Sequence, residues 1–368
     1  MKGYYFINTD LRNTRAHTSQ VLNTIASLQS SLPVVLVSPH YPGLDIESIA
    51  RRHDLPRVPE AAALWNFGIQ DAGALSFVLF NIPAALFLLK QKLRGEASFM
   101  YVRASYFLPL CLFAYLLRVP CFFETHRRPV TPPERFREGI VARLARGLVV
   151  VSDHVRKEYA GYGKPMIVVH DAVSLERFGT LLTKAEARAR LGLPAEEKLC
   201  VYTGSVSNLK GINYLVDAAR ELPEVRFLVA GRITADFRGK AVPPNVELMG
   251  EKEQKDIPPL LRAADALLLP HPNNDYSQSP MKLFEYMASG VPIVSSRLPS
   301  LLEILNDRNA VLVEPDSAES LAKGIRTALT EPGLGTRLAA QALADVEGHT
   351  WEARGRSIAA FVRDTLHA

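Results

Sequence analysis

The sequence predicts an α/β protein built on two parallel sheets, and three observations carry that prediction. Short, continuously apolar runs alternate with longer stretches of helical pattern. The runs fall into two series along the chain. At 368 residues, the chain is also too long for one small core and suits two domains of roughly 150–200 residues.

The first series is YYFIN (4–8), VVLVS (34–38), FMYVR (99–103), CFFET (121–125) and LVVVS (148–152), with a polar helix-like stretch around 14–30. The second is KLCVYTG (198–204), VRFLVAG (225–231), ALLLP (266–270), PIVSS (292–296) and AVLVE (310–314). Strands that are apolar on both faces and separated by helices belong to parallel sheets covered on both sides. Two series imply two Rossmann-like domains, 1–172 and 173–348, joined near 170–195. The final stretch, 349–368, spaces Trp351, Ile358, Phe361 and Leu366 at helical intervals. No repeat of solenoid length is visible.

Composition narrows the class. With 48% hydrophobic and 22% charged residues, the chain reads as folded rather than disordered. Cys111, Cys121 and Cys200 sit in apolar stretches without paired spacing, which predicts buried thiols and no disulfide frame or zinc site. The start, MKGYYFINTD, turns polar too soon for a signal peptide, so the cytoplasm is the expected compartment. Residues 1–165 hold 20 Lys and Arg against 12 Asp and Glu, so the overall net charge of +5 comes from a basic first half. Such a half suits phosphate-bearing ligands or anionic lipid headgroups. No basic run interleaved with aromatics is present, which argues against nucleic acid as a partner.

The run ALSFVLFNIPAALFLL (74–89), flanked by Lys90, Lys92 and Arg94, allows two readings. Sixteen residues interrupted by Asn81 and Pro83 fall short of the roughly 20 that span a bilayer. They form either a core helix of the first domain or a monotopic contact with an anionic membrane surface. Phe77, Phe80 and Phe87 separate the two, because serine there weakens membrane binding if they insert and stability if they are core.

Chemistry concentrates in SQSPMKLFEYMASGVPIVSS (277–296). Ser279 suits an N-cap and Pro280 the first helical position. The free backbone N–H groups of such an N-terminus, around Ser279 to Met281, form an anion site. Lys282 has the wrong charge for a first helical turn unless an anion compensates it. Glu285, three residues on, shares its face and can accept bonds from a vicinal diol. An anion plus a diol describes a nucleoside diphosphate, although a surface helix with a Lys–Glu pair has the same composition.

A second stretch shifts that balance. VYTGSVSNLKGINYLVDAA (201–219) places Gly204 after a strand, where a ligand can approach the backbone, and Lys210 before a helix, where it can reach a phosphate. The G-x-G-x-x-G and Walker patterns are missing, which disfavours hydride transfer and kinase chemistry. No Asp-x-Asp element, no His/carboxylate cluster at ligand spacing and no carboxylate pair of a glycoside hydrolase is recognisable. A site without metal and without a cofactor is therefore expected.

Taken in order, GSVSNLKG, NVELMG, ADALLLPHP, SPMKLFEYMASGVPIVSS and AVLVEPDSAESLAKGI resemble the donor domain of the retaining glycosyltransferases of family four, which have the GT-B fold. In the first half, FFETHRRP is similar to the family's Glu-x-His element, and VVVSDHVRKEY precedes the usual interdomain crossing. The resemblance implies two Rossmann-like domains facing each other across a cleft, with 349–368 returning to the first. It implies a UDP- or GDP-type sugar donor on the second domain. Lys210 and Lys282 would grip the diphosphate, Glu285 the ribose, and Ser279, Pro280 and Met281 the phosphates or sugar.

On the opposite wall the resemblance puts His126 as the catalytic side chain beside the transferred sugar, with His17, Arg103 and Glu124 as further candidates at strand ends. The acceptor is expected to be a glycan, a lipid-linked sugar or a small molecule, in surface polysaccharide or glycoconjugate synthesis. Two departures mark this chain. Ser205 stands where the family often has Arg, and Ser277 where many members have Glu, so Lys282 is expected to take the place of the Arg and the hexose is left open. These two serines also favour the alternative of a non-catalytic nucleotide-sugar-binding subunit, and a nucleotide-sugar epimerase of the same fold is the other alternative.

Overall fold

The structure is a computed structural model that describes every residue except 14, 15, 68–73, 180, 181 and 275–279. The chain divides into two compact units, Met1–Asp171 with Trp351–Ala368, and Ala172–Thr350.

The first unit holds a seven-stranded parallel sheet. Its strands are β1 (Gly3–Phe6), β2 (Val34–Pro39), β3 (Ala61–Leu64), β4 (Phe99–Val102), β5 (Cys121–Thr125), β6 (Gly147–Val150) and β7 (Met166–Val168), in the order β3-β2-β1-β4-β5-β6-β7. Alternate residues feed two cores, as the period of a strand requires. Tyr4 and Phe6 pack with Val35, Met100 and Phe123 on one face. Tyr5 packs with Leu36, Tyr101 and Phe122 on the other. Helix Trp351–His367 joins the second of these cores through Ile358, Ala359 and Val362.

Helix Ala74–Leu93 covers the first face, and it corrects the sequence reading of its length. It runs 20 residues, past Lys90 and Lys92, with Pro83 inside it. By length and composition Leu75–Leu93 suffices to cross a membrane. Asn81 does not interrupt it, because the buried amide donates to Phe77 O at 2.7 Å and accepts from Leu110 N at 3.1 Å. Phe80 is fully buried, and Phe77 and Phe87 pack against the same core. All three phenylalanines are therefore core residues.

The second unit holds six parallel strands. They are β8 (Lys198–Thr203), β9 (Val225–Ala230), β10 (Val246–Gly250), β11 (Ala266–Leu269), β12 (Ile293–Ser296) and β13 (Val311–Val313), in the order β10-β9-β8-β11-β12-β13. The order reverses at β8, which pairs with both β9 and β11. The loops leaving the carboxyl ends of β8 and β11 therefore emerge side by side at a topological switch point, where open α/β sheets bind ligands.

Candidate functional site

In the second unit the site grows from those two loops. After β8 the chain makes a single turn, Asn208–Lys210, capped by Ser207. Asp236 holds that turn by accepting from Asn208 N at 2.9 Å and from Ser207 Oγ at 3.1 Å. Gly211 ends it at φ +78°, and a Cβ there would lie 1.6 Å from the Pro270 carbonyl. Only glycine lets the Lys210 turn touch the loop after β11 so closely. Burial pushes the Lys210 ammonium down to about 8.

Helix Met281–Ser289 supplies the other side. Its Tyr286 hydroxyl accepts from Thr203 N at 2.8 Å, which fastens the helix to the end of β8. Lys282 donates to the Tyr202 hydroxyl at 2.8 Å, and its Nζ stands 4.1 Å from the Tyr202 ring centroid. Tyr202 in turn donates to Ser205 O at 3.0 Å. Burial and the charge of Lys210 hold the Lys282 ammonium well below its ordinary value. Glu285 is pushed up by burial, against the pull of Arg177, which lies 3.5 Å from its carboxylate, and of Lys282. His271, in the loop after β11, is wholly buried, and both of its ring nitrogens lack a hydrogen-bond partner. Burial and the charges of Lys282 and Lys210 keep it neutral at pH 7.

Two expectations are corrected here. Pro280 is the N-cap, at φ −75° and ψ 124°, and the helix begins at Met281, one residue later than the sequence suggested. A proline has no hydrogen-bonding side chain, so the cap leaves the first N–H groups of the helix to other acceptors. Gly204, at φ +128°, does serve close approach, but the group that approaches is Lys282. A Cβ on Gly204 would stand 2.4 Å from Lys282 Nζ. Ser277 and Ser279 lie outside the described residues.

In the first unit, Glu124 is the penultimate residue of β5 and is fully buried. Arg354 donates to its Oε1 at 2.5 Å and Tyr101 to its Oε2 at 2.6 Å. His126 Nε2 also bonds Oε1. Burial alone would raise the Glu124 carboxyl, but Arg354, His126 and Arg103 outweigh it and hold it well below the usual carboxylate range. An ionised Glu124 accepts, so the neighbouring His126 nitrogen, Nε2, carries the proton in the neutral ring. Burial, with Arg103 adding to it, lowers the His126 pKa and favours that neutral form. Its Nδ1 stands 3.8 Å from Asp171.

Gln20 links the remaining candidate, its amide nitrogen donating to Glu124 Oε1 at 3.4 Å and its oxygen accepting from Arg103. His17 is exposed and pairs with Thr9 Oγ1 at 3.1 Å. His126, Arg103 and Glu124 thus belong to one network with Gln20, Tyr101 and Arg354. Among the described residues, no group of three or more His, Cys, Asp or Glu could hold a metal ion. The three cysteines are free and buried.

Several partners were not legible in the sequence. Arg177 and Arg354 lie far along the chain from the carboxylates they pair with, and His271 has no hydrogen-bond partner to mark it. Tyr202 and Gln20 sit in a strand and a helix as ordinary lining residues. One signal was available: His271 follows a strand end at the switch point, as Lys210 does.

Residues 197–331 match the family model of the glycosyl transferases group 1. Over 176 residues the chain is 30% identical to the putative teichuronic acid biosynthesis glycosyltransferase TuaC of Bacillus subtilis, covering 46% of this chain and 42% of TuaC. It is 28% identical over 204 residues to a D-inositol 3-phosphate glycosyltransferase of Mycobacteroides abscessus, covering 52% of this chain and 44% of that protein. The chain spans about half the length of the curated relatives it matches. Among solved structures, Anabaena HepE in complex with UDP aligns with a TM-score of 0.78 at 15% identity, over 99% of this chain and 100% of that one. Sucrose-phosphate synthase from Thermosynechococcus elongatus aligns with a TM-score of 0.80 at 16% identity, over the full length of both. The fold is that of the GT-B glycosyltransferases. The segment that matches the glycosyl transferases group 1 model lies within the second unit, from β8 to helix Ala318–Thr330 with their immediate flanks.

Proposed function

We propose that this protein is a retaining glycosyltransferase that moves a sugar from a nucleoside-diphosphate sugar to an acceptor hydroxyl. The observation that carries this reading is the convergence of Lys210 and Lys282 beside the N-terminus of helix Met281–Ser289, with Glu285 one turn on, inside the family-matching segment. Burial lowers the pKa of both ammonium groups, and Lys210 adds to the lowering at Lys282, so both gain from a shared polyanion. As the bond from the sugar to the diphosphate breaks, negative charge grows on the departing phosphate oxygens. Lys210, Lys282 and the helix amides would stabilise that charge electrostatically. The neutral His271 has a ring N–H without an acceptor, and a phosphate oxygen would supply one. Glu285, oriented by Arg177, would take the ribose hydroxyls.

HepE, with the same fold, was solved with UDP and with UDP-glucose, which supports a UDP-type donor. Kinship with TuaC supports a saccharide polymer of the cell surface as the product, and kinship with inositol-phosphate transferases supports a small polar acceptor. Transfer with retention and without metal follows from the family resemblance, as does a role for His126 at the reacting sugar.

The test is release of nucleoside diphosphate from a panel of UDP- and GDP-sugars, in the presence of chelator. Turnover with at least one donor is expected, and Lys210→Ala or Lys282→Ala should each cost at least about tenfold, which is about 1.4 kcal/mol of transition-state stabilisation. Full activity in both variants would overturn the assignment of the phosphate site.

A further inference from the structure

Helix Ala74–Leu93 has two apolar faces, and only one of them is used by the fold. Ser76, Phe80, Ala84 and Leu88 are buried, whereas Leu75, Val78, Ile82, Leu86 and Leu93 are between 52% and 80% exposed. The neighbouring helices repeat the pattern. Leu110, Cys111 and Ala114 of helix Leu108–Leu116, and Val141 and Ala142 of helix Pro132–Leu144, enter the same core as Phe80 and Leu88. Leu112, Tyr115 and Leu116 of the first point outward, as does Phe136 of the second. All three helices cover one side of the sheet and touch in sequence. Their outer residues therefore form one continuous exposed apolar face, larger than scattered surface leucines account for.

The first two helices and their flanks are basic: between residues 74 and 118 the sole acidic residue is Glu96, against Lys90, Lys92, Arg94, Arg118 and, in the Glu124 network, Arg103. On the third helix Glu138 is buried and Glu134 pairs with Arg127. At one end of the long helix, Lys90 and Arg94 line a shallow depression together with Leu86, Leu89 and Leu93. At the other side, the Arg137 guanidinium lies 4.7 Å above the ring of Tyr106.

We propose that this face docks on a bilayer surface rich in anionic lipid. Leu75, Val78, Ile82, Leu86, Leu112 and Leu116 reach the acyl boundary, and the rim of Lys and Arg meets the headgroups. The helix lies on the membrane and does not cross it. Phe80, Ala84 and Leu88 are part of the first unit's core, and drawing the helix out would expose that core. A second copy of the chain is a poorer occupant, because a two-fold contact sets the same cations of both copies against each other. This inference does not depend on the transferase reading.

The experiment is cosedimentation of the full chain with vesicles of phosphatidylcholine alone, or containing about 30 mol % phosphatidylglycerol, at low and high salt. Binding to the anionic vesicles is expected, at least about tenfold tighter than to neutral ones, and it should fall as salt rises. The variant Ile82→Ser/Leu86→Ser/Leu116→Ser should keep its unfolding midpoint, since these side chains are exposed, yet lose at least about tenfold in binding. Lys90→Glu/Lys92→Glu/Arg94→Glu should lose a similar amount at low salt and none at high salt. No binding to anionic vesicles at low salt would overturn the proposal, as would binding that both variants leave intact. A dimer in lipid-free solution that the apolar variant dissolves, without vesicle binding, would assign the face to a second copy instead.

Discussion

At residue scale, the cluster of Lys210, Lys282 and Glu285 is a set of charges that the fold holds at a cost. Lys282 occupies the first turn of a helix, where the backbone dipole repels a cation, and shares its surroundings with Lys210. For Lys210, burial lowers the pKa from 10.5 to about 8. The sign of the pH dependence follows. The folded state disfavours this ammonium, so stability from this group rises as pH moves from about 8 toward 10.5. Diphosphate binding favours the charged form, so UDP affinity should fall between pH 7 and 9, by up to about tenfold per pH unit above the free-state pKa. Titration calorimetry across that range measures it. Lys210→Arg, charged throughout, should flatten this part of the profile, and an unchanged profile would assign the titration to another group.

Gly204 offers a second test at this scale. Alanine there meets a flexible target, the Lys282 ammonium, and must also hold φ +128°. Strain of that kind costs about 1–3 kcal/mol, and Lys282 is displaced. Gly204→Ala should remain folded with a lowered denaturant midpoint and weakened UDP binding. In the Lys282→Ala background, the same change should cost stability again but no further binding. Gly231→Ala should be worse, because its Cβ would meet the Gly204 carbonyl at 1.9 Å and backbone cannot swing aside.

At the scale of elements, helix Ala74–Leu93 shows where sequence reading succeeds and where it stops. Its apolar character was plain, but a helix that is apolar all round has no periodicity to tell the core face from the outer face. Only the packing partners, Leu110 and Val102 among them, resolve it. Phe80→Ser should therefore cost about 3–5 kcal/mol in urea unfolding, while Ile82→Ser, with 52% of its surface exposed, should change stability by less than about 0.5 kcal/mol. Equal effects would contradict the assigned faces.

Strands were legible where both faces are buried, as in KLCVYT, whose residues after Lys198 are all buried. The edge strands β3, β7 and β10 escaped notice because they are largely half-buried or exposed rather than buried on both faces. The helix at 281–289 was legible from its cap and charges, but the Pro280 cap shifts its start by one residue.

Helix Trp351–His367 brings the least legible contact. Arg354 was one basic residue among several in a terminal helix, yet it is 3% exposed and donates to Glu124, Val169 O and His170 O. No local pattern marks a partner 230 positions away. Arg354→Met leaves an ionised carboxylate buried without its guanidinium and should destabilise the protein by about 3–5 kcal/mol. Adding Glu124→Gln should recover part of that loss in the same urea titration. Full additivity of the two changes would show that the pair does not couple.

At the scale of the whole molecule, each unit has its own sheet and pair of cores, and the order reversal of the second sheet sets the site. That reversal could not be read from the strand runs, because continuous apolar strands carry no record of their neighbours. What the runs did carry was the α/β class and the presence of two series. The net charge of the first half is spread along the chain and is a property of the unit rather than of any one motif. The central claim rests on the second unit, that Lys210 and Lys282 together form a diphosphate site. Calorimetric titration of UDP and GDP into the wild-type chain, Lys210→Ala and Lys282→Ala tests it most directly. The account predicts binding of one nucleotide in the micromolar range, about −8 kcal/mol, weakened at least about tenfold by either substitution. Equal affinity in all three proteins, or no binding of either nucleotide to the wild type, would contradict it.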